Sequence, residues 1–150
     1  PEMYRVLDVL NPHLPNNKPR YIMWIWTPED LIECIYRWID MFDCVLPTRI
    51  WRHGTAFWTH WYIKATNEKF KLSDASLDTE CNCKVCKNYS KWYLRHLLAE
   101  DEMLWMQLLS YHNLHFLVHL AKNARTAIIE NRYDDFRNTF WSKYDISKKK

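Results

Sequence analysis

The stretch ECNCKVCKN, residues 80–88, places Cys81, Cys83 and Cys86 within six positions. Three soft ligands so crowded read as a metal site, and a closed tetrahedral site needs a fourth donor. That need constrains the fold more than any other feature, because the missing ligand must come from a distant segment. Cys34 and Cys44 lie far upstream. Downstream, the candidates are His96, His112, His115 and His119, and spacing alone does not choose among them. His112 is expected at a helix start, in YHNLHF, where a side chain can point back at the preceding turn. His115 and His119 lie one turn apart further along and could pair with each other, or simply be exposed or packed histidines.

The rest of the composition narrows the class. A chain of 150 residues, 48% hydrophobic and 26% charged, can bury one modest core. No run of about 18 apolar residues is present, so no membrane span is expected. The opening PEMYRVLDVL has no charged n-region or apolar h-region and no initiator methionine, so the chain is expected to be a piece of a longer protein. Clustered cysteines fit metal binding in a reduced, cytoplasmic compartment better than a disulfide framework. A net charge of +3 is compatible with nucleic acid without requiring it. One glycine and nine tryptophans are anomalous, since ordinary usage would supply about ten glycines.

Along the chain, MYRVLDVLNPHLP predicts a helix end stopped by Pro12 and Pro15. RYIMWIW has strand length. In TPEDLIECIYRWIDMF, Thr27 is an N-cap, Pro28 occupies the first helical position, and Glu29 and Asp30 fill the first turn. Leu31, Ile32, Ile35, Trp38 and Ile39 are expected on one face of that helix. MFDCVLP is a second buried-strand candidate, closed by Pro47. Strand, helix and parallel strand in so short a span imply an α/β sheet or barrel. GTAFWTHWYIKATNEKFKLSD predicts a hairpin or two, and everything beyond the cysteines predicts helix. Lys84, Lys87, Lys91 and Arg95 would form a cationic stripe. Leu114, Leu117, Val118, Ala121 and Ile128 would form an apolar one. The last residues, YDDFRNTFWSKYDISKKK, predict a short helix and a frayed end.

The arrangement C-x-C-x-x-C, then N-Y-S, then L-R-H-L, then H-N-L resembles the zinc-binding end of the tRNA-guanine transglycosylases. PEMYRVLD, PHLP, KPRY, TPEDL, IDMFDCVLPTR, HGTAF and FRNTF extend the resemblance over nearly the whole chain. The resemblance implies an irregular (β/α)8 TIM barrel with an inserted zinc-binding subdomain, of which this chain is the C-terminal part. Residues 1–52 would be the last barrel strands and helices, 53–112 the hairpin region and zinc subdomain, and 113–150 the closing helices. It makes His112 the fourth ligand of a structural Zn2+ held by Cys81, Cys83 and Cys86.

The activity implied is exchange of the wobble guanine in a tRNA anticodon loop for a 7-deazaguanine, through a covalent aspartyl-RNA intermediate. Asp43 matches the family's nucleophile in M-F-D-C-V, and Asp40 is expected to be a surface acid ending the preceding helix. Strand alternation turns Cys44 away from Asp43. Met23 matches the methionine that packs against the base, its alternative being plain core. Arg49 and Arg52 suit phosphate contacts beside a flipped base, or are solvated loop charges. Tyr89, Tyr93 and His96 match the aromatic side of the family's homodimer interface, and could equally pack on their own core. The competing expectation is a catalytically silent, zinc-containing RNA-binding partner subunit of the same family. Asp43 argues against it, since a silent partner needs no nucleophile.

The chain departs from the family mainly at its tryptophans. YIMWIWTPEDL stands where M-G-x-G-T-P-E-D would be expected, and Trp38 where a glycine precedes I-D. Trp24, Trp26, Trp38, Trp51, Trp61, Trp92 and Trp105 fit this pattern, Trp58 and Trp141 less clearly. The favoured explanation is UGA codons read as glycine in the source cell and rendered here as tryptophan; UGG codons at these positions would exclude it. The competing account is a tryptophan-rich variant. The family's second catalytic aspartate and its guanine-recognition segment have no counterpart here, so the chain alone is expected to be inactive.

Overall fold

The computed structural model describes residues 2–25 and 27–144. Helix α1 (Glu2–Leu10) ends in a 3-10 turn, Asn11–His13, with Pro12 in it. Strand β1 (Tyr21–Ile22) leads into α2 (Pro28–Tyr36), and β2 (Met41–Phe42) returns parallel to β1, Tyr21 opposite Met41. The start of α2 follows its sequence. The Thr27 hydroxyl accepts from the Asp30 amide at 3.1 Å, satisfying one of the helix's orphan donors.

The end of α2 differs from expectation. The helix stops at Tyr36, and Trp38 lies beyond it, 75% exposed with φ +62°. The Trp38 amide donates to Ile35 O at 3.0 Å and the Ile39 amide to Cys34 O at 3.1 Å. These two bonds are the paired closure that ordinarily carries glycine at the left-handed position. Ile39 and Cys34 both pack in the core beneath it. A left-handed L-residue costs about 1–2 kcal/mol, part of which glycine's greater freedom when unfolded would offset. Trp38→Gly should therefore stabilise the fold by about 1 kcal/mol and raise Tm by roughly 2–4 °C. Trp38→Ala, which keeps the strain, should not; equal gains from both in thermal melts would show that the indole, not the backbone, is at fault.

A hairpin follows, β3 (Thr55–Trp58) with β4 (Trp61–Lys64), antiparallel with Trp58 opposite Trp61. Gly54, with φ +61°, closes the turn before it. Four α-helices follow among the described residues: α3 (Lys84–Asn88), α4 (Lys91–Ala99), α5 (Leu104–Ile129) and α6 (Tyr133–Lys143). The cationic stripe is split, because Ser90 interrupts the helix and caps α4 by accepting from the Tyr93 amide.

Two cores result. One joins the hairpin, the cysteine segment, α4 and the start of α5, and includes Ala56, Leu77, Val85, Leu94 and Leu109. The other joins α1, β1 and α2 through Leu7, Ile25, Leu31, Cys34 and Ile39, with Leu120 and Ala121 of α5 against it. Helix α5 thus serves both. Its buried positions are Trp105, Leu109, His112, Asn113, Ala124 and Ala127, whereas Leu114, Val118 and Ile128 of the expected apolar face are exposed. The polar pair His112–Asn113 faces inward because it has partners there, and it rotates the apolar stripe outward. The boundary expected at residue 112 falls inside α5, since no Pro or Gly interrupts residues 104–129. The expected frayed end, 145–150, and Trp26 lie outside the described residues. No helix among the described residues is long and apolar enough to cross a membrane.

The other tryptophans do not share one environment. Trp24 is left-handed like Trp38, with φ +65°. Trp61 and Trp105 are buried, and Trp51 meets Trp105 edge to face at 5.3 Å. Trp105 Nε1 is buried without a hydrogen-bond partner. Trp141 has a polar task, donating Nε1–H to Glu33 at 2.9 Å. The backbone demand for glycine therefore rests on Trp24 and Trp38.

Candidate metal centre and carboxylate site

Cys81, Cys83, Cys86 and His112 each offer one ligand atom, and these four atoms lie within 4.8 Å of one another. His112 Nδ1 is 3.4 Å from Cys86 Sγ, 3.5 Å from Cys83 Sγ and 3.9 Å from Cys81 Sγ. Bonds of about 2.3 Å to sulfur and 2.0 Å to nitrogen at tetrahedral angles would separate N from S by about 3.5 Å. The four donors could hold a metal ion. His112 is fully buried and sits two turns inside α5, not at a helix start. Its direction is set from the far side of the ring, where Nε2 lies 2.8 Å from the Phe57 carbonyl. A carbonyl only accepts, so Nε2 carries a proton, and Nδ1 is the nitrogen whose lone pair a metal ion would take once the ring is neutral. His115 Nδ1 approaches Cys81 alone, at 3.8 Å, and stacks on His119.

Short helix α3 arranges the sulfurs. Cys83 is its N-cap, its Sγ accepting from the Cys86 amide at 3.4 Å, and Asp78, buried just upstream, accepts from the amide of Glu80 and the amide and hydroxyl of Thr59. Without an ion, the Cys81 and Cys86 thiols hydrogen-bond to Cys83 and pull it far down, while Cys86, facing Cys81 and Cys83 and buried, is pushed far up. At His112 burial opposes charge, but Cys81, Cys83 and the Phe57 carbonyl outweigh it and push the imidazole up to about 10. Without metal, that raised His112 contributes stability below its ordinary 6.5, and the contribution fades as pH rises through about 10. Metal uptake must expel protons from Cys86 and His112. Calorimetry in buffers of different ionisation enthalpy should show net proton release, with affinity falling as pH is lowered; uptake without proton release would contradict this arrangement.

Asp43 follows β2 directly, at its C-terminal end, and is exposed. Its Oδ1 accepts from the Tyr21 hydroxyl at 2.6 Å and the Trp24 amide at 3.3 Å. The Asp43 carboxylate raises the Tyr21 phenol. Met23 is exposed in the same segment. Arg49 and Arg52 lie exposed in the turns after Asp43, Arg52 over the Trp51 ring at 5.7 Å from its centroid. Asp40 is exposed and accepts from the Arg20 amide at 2.7 Å. Tyr21 went unnoticed in the sequence, although it stands two residues before Met23 at the matching strand position. Asn113 stands in the sequence only as the second residue of H-N-L, with no role assigned to it.

Comparison with known proteins adds to this geometry. A family model described as queuine tRNA-ribosyltransferase matches residues 1–146. A queuine tRNA-ribosyltransferase of Streptococcus suis (strain 98HAH33) is 48% identical over 147 residues, covering 98% of this chain and 39% of the relative. One of Bacillus thuringiensis (strain Al Hakam) is 49% identical over 146 residues, covering 97% and 38%, and one of Bacillus cereus (strain B4264) gives the same figures. The chain thus spans about two-fifths of the length of these curated relatives.

Proposed function

Because the chain belongs to the queuine tRNA-ribosyltransferase family, we propose that it is the C-terminal part of an enzyme that exchanges the wobble guanine of tRNA for a 7-deazaguanine. The observation that carries this reading is the setting of Asp43. Tyr21 and the Trp24 amide both bind Oδ1, leaving Oδ2 as the oxygen open to an electrophile at the C-terminal end of a parallel strand, the active side of barrel enzymes. Oδ2 attacks the ribose C1′, the C1′–N9 bond breaks, and guanine leaves with the electron pair and takes up a proton. The deazaguanine N9 then gives up its proton to solvent, attacks the same carbon and frees the carboxylate, so two easier displacements replace one difficult one.

The parallel β1–α2–β2 unit supports a closing segment of a (β/α)8 barrel, with Met23 beside the base and Arg49 and Arg52 on RNA phosphates. Cys81, Cys83, Cys86 and His112 would hold a zinc ion. Four protein donors leave no open position, so a bound ion supplies a crosslink and no chemistry. The stacked Tyr89 and Tyr93, 5.6 Å apart, with His96, suit one side of a homodimer in the cytoplasm. In this sequence the Trp24 indole, 61% exposed beside Asp43, occupies space a base would need. Glycine there would allow the close approach.

The full-length parent bearing this segment, incubated with tRNA and labelled guanine and run under denaturing conditions, tests the reading. The parent should show a covalent RNA–protein species and incorporate label. Asp43→Asn should do neither while still binding tRNA. An adduct that survives Asp43→Asn would remove Asp43 as nucleophile, and tRNA binding without any exchange by the parent would favour the silent-partner alternative.

A further inference from the structure

We propose that Asn113 is a positioning residue that clamps the loop after Asp43 to the metal-bearing helix, so that metal occupancy sets the conformation of that loop. The proposal rests on the preceding reading for its purpose, but not for its test. His112 and Asn113 are consecutive on α5, fully buried, and grip one residue of β3 from both sides. His112 Nε2 donates to the Phe57 carbonyl at 2.8 Å, and Asn113 Oδ1 accepts from the Phe57 amide at 2.9 Å.

The remaining half of the Asn113 amide reaches across to the other chain segment. Nδ2 donates to the Pro47 carbonyl at 3.1 Å and the Thr55 carbonyl at 3.5 Å. Pro47 belongs to the turn Leu46–Thr48, which joins Asp43 to Arg49. A buried amide satisfied on every side has little freedom to move, since any shift leaves a desolvated donor or acceptor unpaired. Rotation of His112, when its ligand partners are released, therefore drags Phe57 and Asn113 and slackens the bond to Pro47.

The test compares the zinc-loaded chain with the same chain after chelation, and with Asn113→Asp. This variant keeps the acceptor for the Phe57 amide but sets an oxygen against the Pro47 and Thr55 carbonyls. The readouts are the Pro47 carbonyl 13C resonance, which reports its hydrogen bond, and amide exchange at Thr48 and Arg49. Chelation should shift the Pro47 resonance and speed exchange at Thr48 and Arg49 about tenfold or more, with Leu31–Cys34 remaining protected. Asn113→Asp should bind zinc one to one, yet show the slackened loop with or without zinc.

A loop unaltered by chelation overturns the proposal without any variant. So does a general loss of protection that includes Leu31–Cys34, which would mean global unfolding. Failure of the wild-type chain to take up zinc would overturn the metal reading as well, whereas zinc uptake with an indifferent loop would overturn the clamp alone.

Discussion

Chelating the ion from the zinc-loaded protein is expected to melt the cysteine lobe outright. Cys83 and Cys86 lie inside the first core, among Ala56, Ile63, Leu77, Val85, Leu94 and Leu109. Helix α3, which presents them, has five residues, far below the length at which a helix persists unaided. Structural zinc sites supply about 10–16 kcal/mol of apparent binding free energy in small zinc-dependent units. A whole domain's stability is about 5–15 kcal/mol, so the ion would be a large part of what holds the first core together. Chelation should abolish the near-ultraviolet signal of the Trp51–Trp105 pair, and Cys83→Ser should reproduce the effect at saturating zinc. The second core contains none of the four ligands, so part of the far-ultraviolet helix signal should persist. A melting curve indifferent to chelator would show that the four donors hold no ion that matters to the fold.

Replacing Glu33 by Gln should cost about 3 kcal/mol and lower Tm by roughly 6–12 °C. The Glu33 carboxylate is buried where three helices meet. Its Oε1 accepts from Arg137 Nε at 2.8 Å and Trp141 Nε1 at 2.9 Å, and its Oε2 from Arg37 Nη1 at 2.6 Å. Arg137 also lies over the Tyr36 ring, and Arg37 over Tyr4 of α1. Removing the charge strands Arg137, while Arg37 keeps Asp8, 3.0 Å from its Nε. Both arginines are partly exposed and can rehydrate, which places the cost at the lower end for a broken buried pair. Burial pushes the Glu33 carboxyl up, but bonds from Arg37, Trp141 and Arg137 overcome it and hold it below the ordinary 4.5. A depressed carboxyl stabilises above its unfolded value and loses that contribution as pH falls through its folded one. The gap between wild type and Glu33→Gln should therefore be full near neutrality and close in acid. A gap that widened in acid would contradict the ion cluster.

Local chemistry was legible wherever one segment sufficed. Thr27 and Pro28 set the start of α2 without tertiary help, and the alternation of TAFW and WYIK set the hairpin. Positions decided by distant partners were not legible. His112 looks like a helix-start residue only until Leu104–Tyr111 proves continuous with it, and the inward turn of His112 and Asn113 depends on peptide groups in β3. The C-terminal end of α2 was misjudged because Trp38 continues the apolar spacing, whereas the backbone there takes a left-handed turn. The left-handed torsions at Trp24 and Trp38 support glycine as the residue for which both turns are shaped. Trp61 and Trp105, buried among aromatic and aliphatic neighbours, give no such support.

The wiring of Phe57 to His112 and Asn113 has a consequence for biosynthesis. A ribosome releases β3 and the three thiols well before α5, and neither the Phe57 peptide groups nor the thiols can meet His112 and Asn113 until residue 113 has cleared the exit tunnel. Throughout that interval the sulfurs lie open to oxidants and stray ions. Faithful maturation of this chain thus depends on reducing conditions during translation as much as on the supply of metal afterwards.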